Sequence, residues 1–265
     1  MLKLVLLLLL ASFNLHAIEL RGEITQGSMI VGKTVPGSSV WLDGDKLKVS
    51  AQGDFVFGFN RDAELTHQLE WQEPGQEKQL KALTLSKRDY KIERIKGLPP
   101  KMVTPDPEVL ERIREEGRRI AKARTVDDDR TDFTQAFIWP AKGRISGFYG
   151  SQRILNGKPK TPHYGVDVAA KTGSPVVAPA DGIVTYWQPD MYYSGGTMLI
   201  DHGHGISSAF LHLSASHVKV GQAVKQGQLV AEVGKTGRAT GPHLDWRINW
   251  FKVRLDPALL IPSKP

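Results

Sequence analysis

Between residues 18 and 96 the chain alternates short apolar runs with turn residues. Val40-Trp41-Leu42 runs into Asp43-Gly44-Asp45, a strong two-residue hairpin signal. Lys46 to Ser50 alternates polar and apolar, and Phe55, Phe57 and Phe59 repeat with period two after Gly53-Asp54. Trp71 marks a further strand and Pro74-Gly75 a further turn. About seven short strands in roughly 80 residues predict a small β-sandwich over residues 18–98. Nothing in it carries chemistry. Its lone His67 reads as a surface residue, and the unit as a spacer or docking module.

The period then changes. Val109, Leu110, Ile113, Ile120 and Ala123 recur at helical spacing, with Asp106 placed to cap and Pro107 suited to the first helical position. Glu115 and Arg119 form a favourable i, i+4 pair, and Asp127-Asp128-Asp129 closes the segment. Residues 99–132 therefore read as a solvated helical linker. From Phe133 onward, runs such as Ile145-Ser146-Gly147-Phe148-Tyr149, Gly182-Ile183-Val184-Thr185-Tyr186 and Met198-Leu199-Ile200-Asp201 predict a second, antiparallel β domain over residues 133–265. The paired runs at 218–221 and 224–229 would also suit a biotinyl- or lipoyl-carrier hairpin, but Lys235, between Gly234 and Thr236, lacks the flanking residues of a modified lysine. The fold class expected is mainly β: sandwich, connecting helix, antiparallel β domain.

Residues 1–17 stand outside this pattern. Lys3 precedes a nearly pure leucine run from Leu4 to Ala11, and a short polar stretch ends at the small Ala17. That is a cleavable export signal, too short to span a bilayer comfortably. An exported, periplasmic or otherwise extracytoplasmic protein is expected. There is no cysteine, which excludes a disulfide scaffold, a thiol nucleophile, a Cys-ligated metal and a lipidated N-terminal cysteine. The formal charge is +7, and loss of Lys3 with the leader leaves +6. A basic chain favours an anionic partner, but its bases are scattered and match no nucleic-acid motif, so no nucleic acid is expected.

Of eight histidines, six lie between residues 163 and 243. In His163-Tyr-Gly-Val-Asp167 the β-branched neighbours argue for extended chain. His163, Gly165 and Asp167 would then share one face, with Gly165 leaving space between the two polar ends. Such a pair can hold Zn²⁺ or simply make a His–Asp hydrogen bond. In Pro242-His243-Leu244-Asp245-Trp246 the two polar residues share a face while Leu244 and Trp246 turn to the core. His212, within Phe210-Leu211-His212-Leu213, must satisfy its ring nitrogens or titrate. His202-Gly203-His204 sits at a hairpin tip, with both imidazoles expected to splay into solvent, and His217 reads as surface.

Taken in order, these elements resemble the lysostaphin-like, or LytM-type, zinc endopeptidases of bacterial cell walls. The likeness covers about residues 136–258 and includes Gly143-Arg144-Ile145-Ser146-Gly147-Phe148-Tyr149-Gly150, Gly173 to Gly182, Asp201-His202-Gly203-His204-Gly205 and Thr236 to His243. The resemblance implies an antiparallel domain with a groove and one zinc at its floor. It implies His163 and Asp167 as metal ligands, and His212 and His243 as the histidines that orient water or stabilise the oxyanion. The family's third ligand, a second histidine, is here Asp245. The resemblance implies Zn²⁺, and the two carboxylates of a His163–Asp167–Asp245 set would suit the harder Mn²⁺ as well. The expected substrate is peptidoglycan, cut at its peptide cross-links. The alternative is a catalytically inactive relative that activates a murein amidase, and the helix at 106–126 and the loop at 151–162 are the segments placed to cover the groove.

Overall fold

The structure, a computed structural model, describes residues 18–97 and 100–261; the expected export signal at 1–17 lies outside the described residues. The chain is mainly β. Near its start two antiparallel sheets face each other. Glu19–Arg21, Met29–Lys33 and Asp54–Gly58 make the first, and Asp45–Leu47, Ser39–Leu42, Thr66–Gln72 and Gln79–Thr84 the second. The predicted hairpin forms at Asp43-Gly44, where φ of 51° and 87° gives two consecutive left-handed residues, as a primed turn requires.

Between the two sheets lie Ile30, Val40, Phe55, Phe57 and Leu69, all fully buried. The first sheet is buried on its other face as well. Met29, Val31 and Val56 point away from that core into a second one, alongside Val168, Phe210, Trp246 and Leu255. Leu255 packs so closely on Gly58 that an added Cβ there would lie 2.6 Å from its Cδ2. The sandwich is thus welded to the C-terminal half of the chain rather than tethered to it.

The second core belongs to a ten-stranded sheet whose middle runs Gly182–Met191, Gly195–Asp201, Ile206–Ser216, His243–Trp250, Val166–Ala169 and Arg144–Gly147, each the neighbour of the next. The strand Ile92–Ile95 leaves the sandwich and pairs in parallel with Gln152–Leu155, beside the groove of the large sheet.

The predicted helix spans Pro107–Ala123 and contains the Glu115–Arg119 pair. Asp106 holds the cap position, but its side chain makes no capping hydrogen bond. The helix docks through polar contacts: Arg112 Nη2 donates to Asp190 O at 2.7 Å, and Tyr192 N donates to Glu116 Oε2 at 2.9 Å. Past its end, Lys48 Nζ donates to the carbonyls of Asp127 and Asp128, at 2.7 and 2.8 Å, tying the acidic segment to the sandwich. Among the described residues no helix is long and apolar enough to cross a membrane.

Candidate metal centre

Strand register brings the acidic residues together. Asp167 stands directly opposite Asp245 on the neighbouring antiparallel strand, and opposite Gly147 on its other side. The two carboxylates therefore share one face of the sheet, while Leu244 and Trp246 are fully buried on the other. His163 lies in the loop before the Asp167 strand rather than on it. Its backbone is nonetheless pinned, with His163 N donating to Ser151 O at 2.9 Å and Gly150 N donating to His163 O at 2.7 Å.

The three side chains converge. Nε2 of His163 lies 3.0 Å from Asp167 Oδ1 and 3.4 Å from Asp245 Oδ2. All three residues are buried, and one donor atom from each falls within 4.8 Å of the others. Despite the short distances, both ring nitrogens of His163 and Oδ1 of Asp167 are buried without a partner at hydrogen-bonding geometry. Ligands 2.0–2.2 Å from a tetrahedral Zn²⁺ stand about 3.4 Å apart, so these separations suit a divalent ion. Glycines keep the space open: a Cβ on Gly147 would lie 2.2 Å from Asp167 Oδ2, and one on Gly165 would lie 2.4 Å from Asp245 Oδ1. The room expected beside Gly165 is thus filled by Asp245.

Two arginines complete the cluster. Arg247, two residues past Asp245 and on the same face, donates from Nε to Oδ1 at 2.9 Å and from Nη2 to Oδ2 at 2.6 Å. Arg153 Nη2 donates to Asp167 Oδ2 at 3.3 Å, and its Nε lies 3.7 Å from Glu93 on the pairing strand. Burial pushes the Asp245 carboxyl upward, but Arg247 and His163 outweigh it and hold the group well below the ordinary carboxylate range. Burial likewise lowers His163, and the facing Asp245 and Asp167 outweigh it and raise it. Sequence reasoning misses Arg247, although its period-two spacing from Asp245 is the available clue.

His212 and His243 stand beside this cluster with ring centroids 4.7 Å apart. Nδ1 of His212 is 2.8 Å from Thr236 O, and Nδ1 of His243 is 2.9 Å from Gly241 O. A carbonyl accepts only, so each neutral ring carries its proton on Nδ1 and presents the Nε2 lone pair. Nε2 of His243 lies 3.8 Å from Asp167 Oδ1. Burial, aided by His243, lowers the pKa of His212 despite an opposing pull from Asp245. His212 also has φ of 64°, in the left-handed region, where the pairing of its strand shifts register. That break turns its ring toward the groove.

The remaining histidines lie elsewhere. His202 and His204 occupy the predicted hairpin tip, yet both are buried rather than splayed into solvent, because the segment around Phe133 and Phe137 folds over them. Nδ1 of His202 faces Asp181 O at 2.7 Å and Nε2 faces Ser208 Oγ at 2.8 Å. His217 Nε2 contacts Glu232 on the surface, and His67 bonds Asp43. Tyr164 is half-buried near Tyr149, and Trp246 belongs to the core.

Two hollows meet at the cluster. One, about 450 Å³, reaches from Asp167, His212 and His243 toward Glu93 and Ile95. The other, about 330 Å³, lies between His163, His212 and Asp245 and the helix, whose Gly117 and Ile120 form part of its wall together with Arg124 just past its end. The helix and the segment 151–162 thus both border the groove, the latter as a short hairpin of Gln152–Leu155 and Lys158–Pro159 rather than the expected loop.

Residues 161–257 match the family model described as peptidase family M23. Over 138 residues, 49% of this chain, the sequence is 36% identical to the peptidoglycan DD-endopeptidase ShyA of Vibrio cholerae, of which 32% is covered. Over 91 residues, 33% of this chain, it is 43% identical to a protein of Haemophilus influenzae described as a metalloprotease, of which 18% is covered. The chain thus spans a third or less of the length of these curated relatives. A crystal structure described as a peptidase M23 from Pseudomonas aeruginosa superposes with a TM-score of 0.70 at 27% identity, covering 91% of this chain and 96% of that one.

Proposed function

We propose that this chain, which carries a peptidase family M23 domain, is a zinc-dependent endopeptidase that hydrolyses peptide cross-links of peptidoglycan outside the cytoplasm. The observation that carries this reading is the buried convergence of His163, Asp167 and Asp245, with ring and carboxylate atoms left without hydrogen-bond partners. The name of the Vibrio relative supports the choice of substrate, and the leader at residues 1–17 supports export. In this reading residues 18–98 dock the enzyme on the wall, 99–132 connect, and 133–265 hold the chemistry.

His163, Asp167 and Asp245 would hold the ion, Zn²⁺ or the harder Mn²⁺. When bound, such an ion polarises a carbonyl and acidifies a water molecule. We assign the general base to His243, whose Nε2 lone pair lies closest to the acidic cluster. It takes a proton at Nε2 and returns it to the leaving amine. His212 completes the pair: its Nε2 lone pair accepts a hydrogen bond from the attacking water and orients it. Arg153 and Arg247 hold the two carboxylates in place.

A single experiment tests the reading: full-length protein incubated with murein sacculi, followed by muropeptide analysis and metal quantification. The expected result is one equivalent of metal and loss of cross-linked muropeptides, abolished by chelator and by His163→Ala. Folded, metal-loaded protein that leaves cross-links intact overturns it.

A second reading, a non-catalytic activator of a murein amidase, draws on the fork between Arg247 and Asp245, which neutralises that carboxylate without any ion. It expects no stoichiometric metal, together with faster release of peptides by an added amidase.

A further inference from the structure

The hollow beneath the helix is lined by cationic side chains that the proposed reaction does not use. Asp245 is the one carboxylate among its described lining residues, and Arg247 already holds it. Six basic side chains border the same space. Arg254, among the described residues, meets only a neutral acceptor, Asn249 Oδ1. Burial alone brings its pKa down to about 10, so it remains a cation at neutral pH. Arg124, just past the helix end, has its Nε buried with no hydrogen-bond partner among the described residues. Arg238 lies over the Tyr193 ring, 4.3 Å from its centroid. Partly buried guanidinium groups without an anion are costly. Two of them, Arg124 and Arg254, on one hollow beside a reaction centre form a receptor for negative charge.

The remaining wall narrows the choice of anion. Ile120, Leu155 and Leu211 give it an apolar side suited to an aliphatic stem. Guanidinium forks match the planar geometry of a carboxylate. The hollow also shares His163, His212 and Asp245 with the metal centre, so its occupant is contiguous with the reacting peptide.

We propose that this hollow is a subsite for a free carboxylate carried by the bound peptide next to the scissile bond, with Arg124 and Arg254 as its recognition residues. The proposal rests on the peptidase reading and adds to it a requirement for acidic peptides. Neutral bridges such as oligoglycine would leave the two cations unanswered.

The test is calorimetric titration of the full chain, stripped of metal by chelator so that no carboxylate can bind an ion. The probes are a D-alanyl-diaminopimelate peptide as the free acid and the same peptide with its carboxylates converted to carboxamides. Wild type should bind the acid at least about tenfold more tightly than the amide, the range of one charge-assisted hydrogen bond. Arg124→Gln and Arg254→Gln should each bring that ratio close to one while leaving amide binding unchanged. Arg124 caps the helix through its backbone, so its replacement leaves the cap bonds intact. Equal affinities for acid and amide in wild type, a preference that survives in both variants, or no binding of either probe overturns the proposal. Because neither metal nor turnover is involved, a chain that fails to cut sacculi still reports on this subsite.

Discussion

Arg247 engages both carboxylate oxygens of Asp245, with Nε 2.9 Å from Oδ1 and Nη2 2.6 Å from Oδ2. The pair is formally neutral, as a histidine at the same position would be. A buried carboxylate deprived of its partner is strongly destabilised, by about 3–5 kcal/mol. Arg247→Gln is therefore expected to lower the unfolding free energy of metal-free protein by about 3 kcal/mol. Added Zn²⁺ should raise the melting temperature of this variant more than that of wild type, because the ion takes over neutralisation of Asp245. Denaturant unfolding and thermal shift with and without zinc check both halves; equal zinc shifts would show that the arginine and the ion do not share the carboxylate.

Gly147 faces Asp167 across the sheet and leaves no room for a side chain. A Cβ there would sit 2.2 Å from Asp167 Oδ2 and 2.7 Å from its Cγ, while its close contacts spare the backbone. Gly147→Ala should therefore swing the carboxylate away and leave the fold standing. The expected outcome is zinc affinity reduced at least about tenfold, the range seen when a ligand's support is lost. Chelator competition measures the affinity and circular dichroism the fold. Unchanged affinity would remove Asp167 from the ligand set.

Met29, Val31 and Val56 join the first sheet of the sandwich to the core of the large sheet, so the two cores share a wall. They are expected to unfold together. Met29→Ala should cost about 2–5 kcal/mol, the usual range for a buried large-to-small change. Its unfolding should stay a single transition whether followed by Trp71 in one core or Trp246 in the other. Two separated transitions would contradict the shared wall.

The legible part of the chain is local. His163 and Asp167 four apart, and His243 and Asp245 two apart, mark the polar face of the site, because extended backbone alternates its side chains. Asp43-Gly44 marks its hairpin for the equally local reason that both residues tolerate positive φ. The hidden part is non-local. Nothing near Val56 says that its face meets residues two hundred positions away, and an alternating pattern with both faces apolar reads as one core. Arg247 goes unread as long as the carboxylate it serves is assigned wholly to the ion. His202 and His204 read as solvent-exposed because the segment that covers them, around Phe133 and Phe137, lies far away in the sequence, at the start of the second domain.

The buried tip supplies a pH dependence. His202 is fully buried, and burial, opposed by the Asp181 carbonyl and charge and reinforced by Arg130, brings its pKa down to about 4 from 6.5. The folded protein therefore keeps the ring neutral where the unfolded chain begins to bind a proton. With a folded pKa below the unfolded one, the stability associated with neutrality is complete above pH 6.5 and is lost as pH falls from there through about 4. A gap of this size corresponds to about 3 kcal/mol. His202→Gln offers an amide to Asp181 O and Ser208 without a titrating ring, so its stability should fall less steeply on acidification. Urea unfolding of both proteins from about pH 7.5 to about 4.5 isolates the difference, since every other titrating group is common to the two. Parallel stability curves would mean that His202 takes its proton without unfolding, and that the segment over the tip opens to admit it.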